Sequence, residues 1–113
     1  MFCYVWSYIA RPESLQVFRS AYGPDGDWAQ LFRRDDAYIG THLLAGHENP
    51  TQFMTIDFWT SRQAFMSFRE RFSREFETID KTMEGLTTLE THVGDFDVLD
   101  EMRPPSGGQI QSR

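Results

Sequence analysis

The chain predicts an α+β domain in which a four-stranded antiparallel sheet carries helices on one face. Three observations lead there. The stretch Gln52–Met83 runs from a short aromatic strand, through a capped turn, into a helix with a phenylalanine stripe. Strand-like apolar runs also open the chain at Cys3–Ala10 and close its folded part at Thr87–Leu99. The segments between them order the elements as β-α-β-β-α-β, with one extra short helix after the first.

Taken in order, the first strand ends at Arg11-Pro12-Glu13-Ser14, where Pro12 suits the first turn of a helix. Leu15, Phe18 and Tyr22 then form one helical face until Gly23-Pro24-Asp25-Gly26 stops it. Asp27 can cap a second short helix whose Trp28, Leu31 and Phe32 fall on one side. Arg33-Arg34-Asp35-Asp36 reads as a solvated turn, because its charges cancel. Tyr38–Ala45 is a strand, and Gly46-His47-Glu48-Asn49-Pro50 is the hairpin loop into the strand Gln52–Trp59. Thr60-Ser61-Arg62-Gln63 matches a capping box with Thr60 as N-cap. Beyond it Phe65, Phe68, Phe72, Phe76, Ile79 and Met83 recur at helical spacing, which predicts one long helix. Gly85 stands where its C-terminus favours a left-handed residue. In the last strand Gly94 marks a bulge or a close backbone contact. Residues 1–102 form one domain, and the polar tail 103–113 has almost nothing to bury.

Right-handed crossovers arrange these elements as a ferredoxin-like sheet of strand order 4-1-3-2, with the helices on one face. A sheet wet on its second face should alternate apolar and polar residues. The first and third strands are apolar on both faces, so a second copy of the chain is expected to cover the open side as a homodimer.

Composition excludes several classes. The chain is 113 residues long with 15% aromatics, and its net charge of −6 disfavours nucleic acid and anionic membranes as partners. Cys3 is the single cysteine and can form no internal disulfide, which fits a reducing, cytoplasmic setting. The apolar opening lacks a basic flank and stops at Arg11, so it reads as neither signal peptide nor membrane span. No Cys/His cluster, dinucleotide fingerprint or phosphate loop is present, and neither a metal nor an organic cofactor is expected.

Four segments in sequence carry a resemblance: Trp28-Ala29-Gln30-Leu31-Phe32, Tyr38–Leu44, Phe53–Ser61 with Ala64, Phe65 and Phe68, and Glu90–Phe96. Together they resemble the antibiotic biosynthesis monooxygenase domain over roughly residues 3–99. The resemblance implies the dimeric α+β barrel fold and an oxidoreductase that oxygenates a small quinol- or anthrone-like aromatic without a cofactor. The haem-degrading members carry a Trp and a His on the long helix and an Asn on the first strand. Here the helix positions fall on Phe68 and Thr78, and the first strand has no Asn. The alternative is a non-catalytic dimeric module that binds an apolar ligand or serves as an accessory subunit.

Cofactor-free oxygenation of a phenol requires a dry aromatic cavity, a proton acceptor and hydrogen bonds to the resulting anion. His42 is the first candidate base because its charge changes near neutral pH, although a structural histidine reads equally well. Asp57, set between Ile56 and Phe58 in a buried strand, is either its orienting partner, a base of raised pKa, or half of a structural pair. His92 carries the same ambiguity as His42. Trp59, Trp28, Tyr22 and Phe68 are the candidate substrate-binding wall, although tryptophans at such positions are more often core. His42 and His92 lie on opposite edge strands, about three spacings of ~4.8 Å apart, so one subunit cannot join them in a metal site.

Overall fold

Alternate residues of the opening strand β1 (Phe2–Ala10) point toward a layer of helices, and the rest of the fold is built on that strand. The structure, a computed structural model, describes residues 1–102; the tail 103–113 lies outside the described residues. A 3-10 turn at Pro12–Ser14 leads into α1 (Leu15–Tyr22) and α2 (Asp27–Phe32). The hairpin β2 (Tyr38–Ala45) and β3 (Gln52–Trp59) follows, then α3 (Arg62–Arg71), α4 (Ser73–Met83) and β4 (Thr87–Asp97). The sheet order is β2-β3-β1-β4 with all pairings antiparallel, which is the ferredoxin-like order expected.

Two aromatic clusters hold the helices to the sheet. In one, Trp59, Phe32, Phe65 and Phe68 pack around Phe2 and Tyr4. In the other, Phe18, Tyr22 and Met83 pack on Tyr8 and Phe53. Trp59, Phe18 and Phe68 are fully buried, and burying each contributes about 1.5–3 kcal/mol by area alone. Trp6, Trp28 and Ile79 touch both clusters and bridge them.

Several local expectations change. The N-cap of α3 is Ser61, whose Oγ accepts from the Ala64 N–H at 3.0 Å; Thr60 is the residue before it. The long helix is interrupted at Phe72, whose φ and ψ of −108° and 27° leave the helical region, although Phe72 N and Phe76 N still bond back by four residues. No Pro or Gly stands in that stretch, so no residue type announces the break. Gly85 takes no left-handed conformation; it sits in a 3-10 turn, Glu84–Leu86, that leads into β4. Asp35 is not simply solvated: it pairs with Arg71 and caps the Ala37 N–H at 2.8 Å, tying the turn after α2 to α3.

The helix-free face of the sheet is apolar as expected. Cys3 and Val5 are buried there, Met54, Ile56 and Phe58 are half-buried, and Leu44, Leu89 and Phe96 are 45, 58 and 49% exposed. No helix of the described residues is long and apolar enough to cross a membrane.

Candidate functional site

Three adjacent ladders of side chains on the helix-covered face of the sheet floor the site. The first runs Thr41, Asp57, Tyr4, Asp95; the second Leu43, Thr55, Trp6, His92; the third Ala45, Phe53, Tyr8, Glu90. Between these ladders and the helices, in the gap left by the two clusters, lies a cavity of about 290 Å³. Trp6, Tyr8, Tyr22, Trp28, Phe32 and Phe65 give it aromatic walls.

Asp57 lies on the sheet side of this cavity and is only 7% exposed. Burial pushes its carboxyl up to about 6, against the opposing effects of a hydrogen bond from Thr41 and of nearby Tyr4. Thr41 Oγ1 donates to Asp57 Oδ1 at 2.5 Å and also meets Tyr38 Oη at 2.5 Å. A hydroxyl has one proton to give, so Tyr38 donates to Thr41 and Thr41 to the carboxylate. Three buried side-chain polar atoms among the described residues have no hydrogen-bond partner of normal geometry: Tyr4 Oη, Trp28 Nε1 and Trp59 Nε1. All three are donor groups, and Tyr4 and Trp28 line the cavity. Burial also raises the phenol pKa values of Tyr4, Tyr8 and Tyr22, keeping them neutral.

The β4 side supplies a second polar group. Val5 pairs with Gly94 but Trp6 pairs with His92, so Val93 is an extra residue and forms a bulge beside Gly94. His92 Nε2 lies 2.9 Å from Asp95 Oδ1, and its ring stacks on Trp6 at 5.2 Å. Arg69 of α3 closes another side, its guanidinium 4.5 Å above the Phe76 ring. Among the described residues no group of three or more His, Cys, Asp or Glu side chains is arranged to hold a metal ion.

The structure therefore divides the residues singled out from sequence. Asp57, Trp28 and Tyr22 line the cavity together. His42 is not among them: it pairs with Ile56, lies edge-on to Phe58 at 5.3 Å, and is exposed on the helix-free face. Asp57 and His42 are thus on opposite faces of the sheet and are not brought together. The reason is parity, since in β2 it is Thr41 that stands opposite Asp57. Trp59 and Phe68 are fully buried in the core and do not line the cavity. Tyr4 was missed by sequence reasoning. Its signal was available: it shares the inward face with Trp6 and Tyr8 at two-residue spacing.

The fold is a ferredoxin-like α+β architecture, shared with solved structures described as antibiotic biosynthesis monooxygenases. Among solved structures, the chain is similar to SnoaB, a cofactor-independent oxygenase from Streptomyces nogalater studied as a mutant. The TM-score is 0.68 at 19% identity, over 91% of this chain and 97% of that one. It is similar also to a protein of Deinococcus radiodurans described provisionally as an antibiotic biosynthesis monooxygenase, with TM-score 0.67 at 13% identity over 94% and 100% of the chains. A third, from Bordetella bronchiseptica and described in the same terms, gives 0.67 at 19% identity over 87% and 96%. At these identities the likeness establishes the fold. No family model matches the chain, and no curated protein matches its sequence.

Proposed function

We propose that the protein is a cofactor-independent monooxygenase acting on a small quinol- or anthrone-like aromatic, and that it works as a homodimer. The observation that carries this reading is a buried carboxylate, Asp57, with its pKa raised to about 6, set in an aromatic cavity. A general base is most effective when its pKa lies near the working pH. An accessory module would more simply fill this space with Phe and Met.

In the proposed reaction the aromatic substrate enters between Trp6 and Trp28, and ionised Asp57 removes a proton from its acidic O–H or C–H. The electron-rich anion transfers one electron to dioxygen, and recombination of the resulting pair forms a C–O bond as a peroxide. Asp57 returns its proton to the peroxide and then removes the remaining hydrogen of the reacting carbon as a proton. That carbon–hydrogen electron pair closes the carbonyl as the O–O bond breaks. The departing hydroxide takes the proton from Asp57 and leaves as water. One atom of dioxygen ends in the product carbonyl and the other in water, so no external reductant is consumed.

The homodimer is supported by the helix-free face, where Leu44, Leu89 and Phe96 are exposed beside half-buried Met54, Ile56 and Phe58. The test of function is oxygen uptake with a panel of anthrones and quinols, corrected for autoxidation, on wild type and Asp57→Asn. Uptake that falls about 10²-fold in the variant is expected for loss of a general base. No uptake above background across the panel would instead favour the accessory-module reading.

A further inference from the structure

Tyr4 is set in the middle of the sheet, directly between Asp57 on β3 and Asp95 on β4. It is 6% exposed, lines the cavity, and its Oη has no hydrogen-bond partner of normal geometry. Its neighbours are mostly rings, with Phe65 at 4.5 Å between centroids. A phenylalanine would fill the same space without the hydroxyl. The Trp59 indole N–H favours the ionised Tyr4 oxygen against the effect of burial, but it can only donate, so the Tyr4 proton is left to give to a ligand.

The partner is defined by what stands next to it. Tyr4 Oη is near enough to the Asp57 carboxylate to favour its ionised form, yet forms no hydrogen bond of normal geometry with it. Directly opposed residues on antiparallel strands have their Cβ atoms roughly 4.5–5.5 Å apart. An oxygen atom placed in the cavity between the two side chains can then donate to Asp57 and accept from Tyr4 at once.

We propose that Tyr4 Oη is the oxyanion donor of the site, binding the same ligand oxygen that Asp57 deprotonates. This rests on the reading that the ligand is a hydroxyaromatic. The proton moves from the ligand oxygen to Asp57, the negative charge stays on that oxygen, and Tyr4 stabilises it by donating without giving up its own proton. Burial holds the Tyr4 phenol well above its ordinary range, so it remains a donor throughout the working pH range. The ligand class follows: an aromatic with a hydroxyl at the end that enters toward β1 and β3. Ligands with only an apolar edge there leave Tyr4 unpaired.

The test separates this role from packing by using a coloured phenol, 4-nitrophenol, whose ionisation is read directly by absorbance. Asp57→Asn removes the competing negative charge and stands in for Asp57 after it has taken the proton. Bound to Asp57→Asn, 4-nitrophenol should ionise at lower pH than when bound to the double variant Asp57→Asn/Tyr4→Phe. The phenolate should bind the double variant about tenfold more weakly, the usual size of one hydrogen bond to an anion. Tyr4→Phe alone should stay folded with a Tm close to that of wild type, because no hydrogen bond of normal geometry is lost. Equal ionisation of the probe in the single Asp57→Asn variant and in the double variant, or no binding to Asp57→Asn at all, would overturn the inference. Oxygen uptake that survives undiminished in Tyr4→Phe, with no shift in the probe, removes Tyr4 but leaves the oxygenase reading. A clear probe shift with no uptake on any substrate keeps the Tyr4 role and removes the oxygenase.

Discussion

His92 and Asp95 share one face of β4, Nε2 to Oδ1 2.9 Å, although they stand three residues apart. In an unbroken strand that spacing puts side chains on opposite faces. The extra residue Val93 reverses the alternation and turns both toward the cavity, His92 onto Trp6 and Asp95 toward Tyr4. Deleting Val93 should therefore remove the bulge and its local twist, leaving His92 and Asp95 on that face at regular two-residue spacing, with the sheet in place because β4 is an edge strand. The expected result is a folded protein with a lower Tm and several-fold weaker aromatic-ligand binding, measured by quenching of tryptophan fluorescence. A folded deletion variant with unchanged affinity would show that the bulge does not serve the site.

Asp57 gives stability an unusual pH dependence. Its folded pKa, about 6, lies above the ordinary 3.8, so the folded state holds this proton more tightly than the unfolded one. The contribution is fully present below about 4 and is lost as pH rises through about 6. A shift of this size corresponds to on the order of 3 kcal/mol. Relative to wild type, Asp57→Asn should gain stability as pH is raised from 4 to 7, and the difference in unfolding free energy should level off above 7. A difference independent of pH would place the Asp57 pKa near its unperturbed value.

Thr41 sets where Asp57 titrates, because its hydrogen bond favours the ionised carboxylate. If Asp57 is the base, activity rises with pH through about 6 and then reaches a plateau. Thr41→Val should move that rise to higher pH, and Thr41→Ser should restore it. Carboxylate titration by NMR checks the same shift without any substrate.

The helix-free face predicts assembly. Ile56 lies mid-strand on that face, half-buried in the single chain. The native protein should sediment as a dimer with well over ~1,000 Å² buried. Ile56→Glu should yield a folded monomer, because a charge there cannot be desolvated without a partner. A native monomer at micromolar concentration would remove the dimer.

Trp59 and Phe68 belong to stability rather than to ligand contact. Phe68 is fully buried among Trp59, Phe32 and Phe72. Phe68→Ala should cost about 3–5 kcal/mol in unfolding free energy, as large-to-small changes at such sites do. Trp59→Phe should lower Tm and leave ligand affinity within about twofold of wild type, an order set by its place behind the wall. A large loss of affinity with unchanged Tm would put Trp59 in the cavity after all.

The amino-acid sequence alone determined the four strands, their order and the presence of helices on one face. Those features rest on local and repeating signals: the aromatic run Phe53–Trp59, the three-and-four spacing from Phe65 to Met83, and the turn residues Gly23–Gly26 and Gly46–Pro50. Such signals survive because burial forces one periodicity on a helix and another on a strand. Asp57 was legible as a misfit, a carboxylate in an apolar strand. The tertiary structure decided which residues meet. Strand pairing put Thr41, not His42, opposite Asp57, and the Val93 bulge brought His92 and Asp95 onto one face. It also decided that Trp59 and Phe68 fill the core while Tyr4 and Trp28 leave room beside them. A cavity is the small difference between the space the backbone encloses and the volume its side chains fill. That difference depends on every neighbour at once, and no single stretch of chain encodes it.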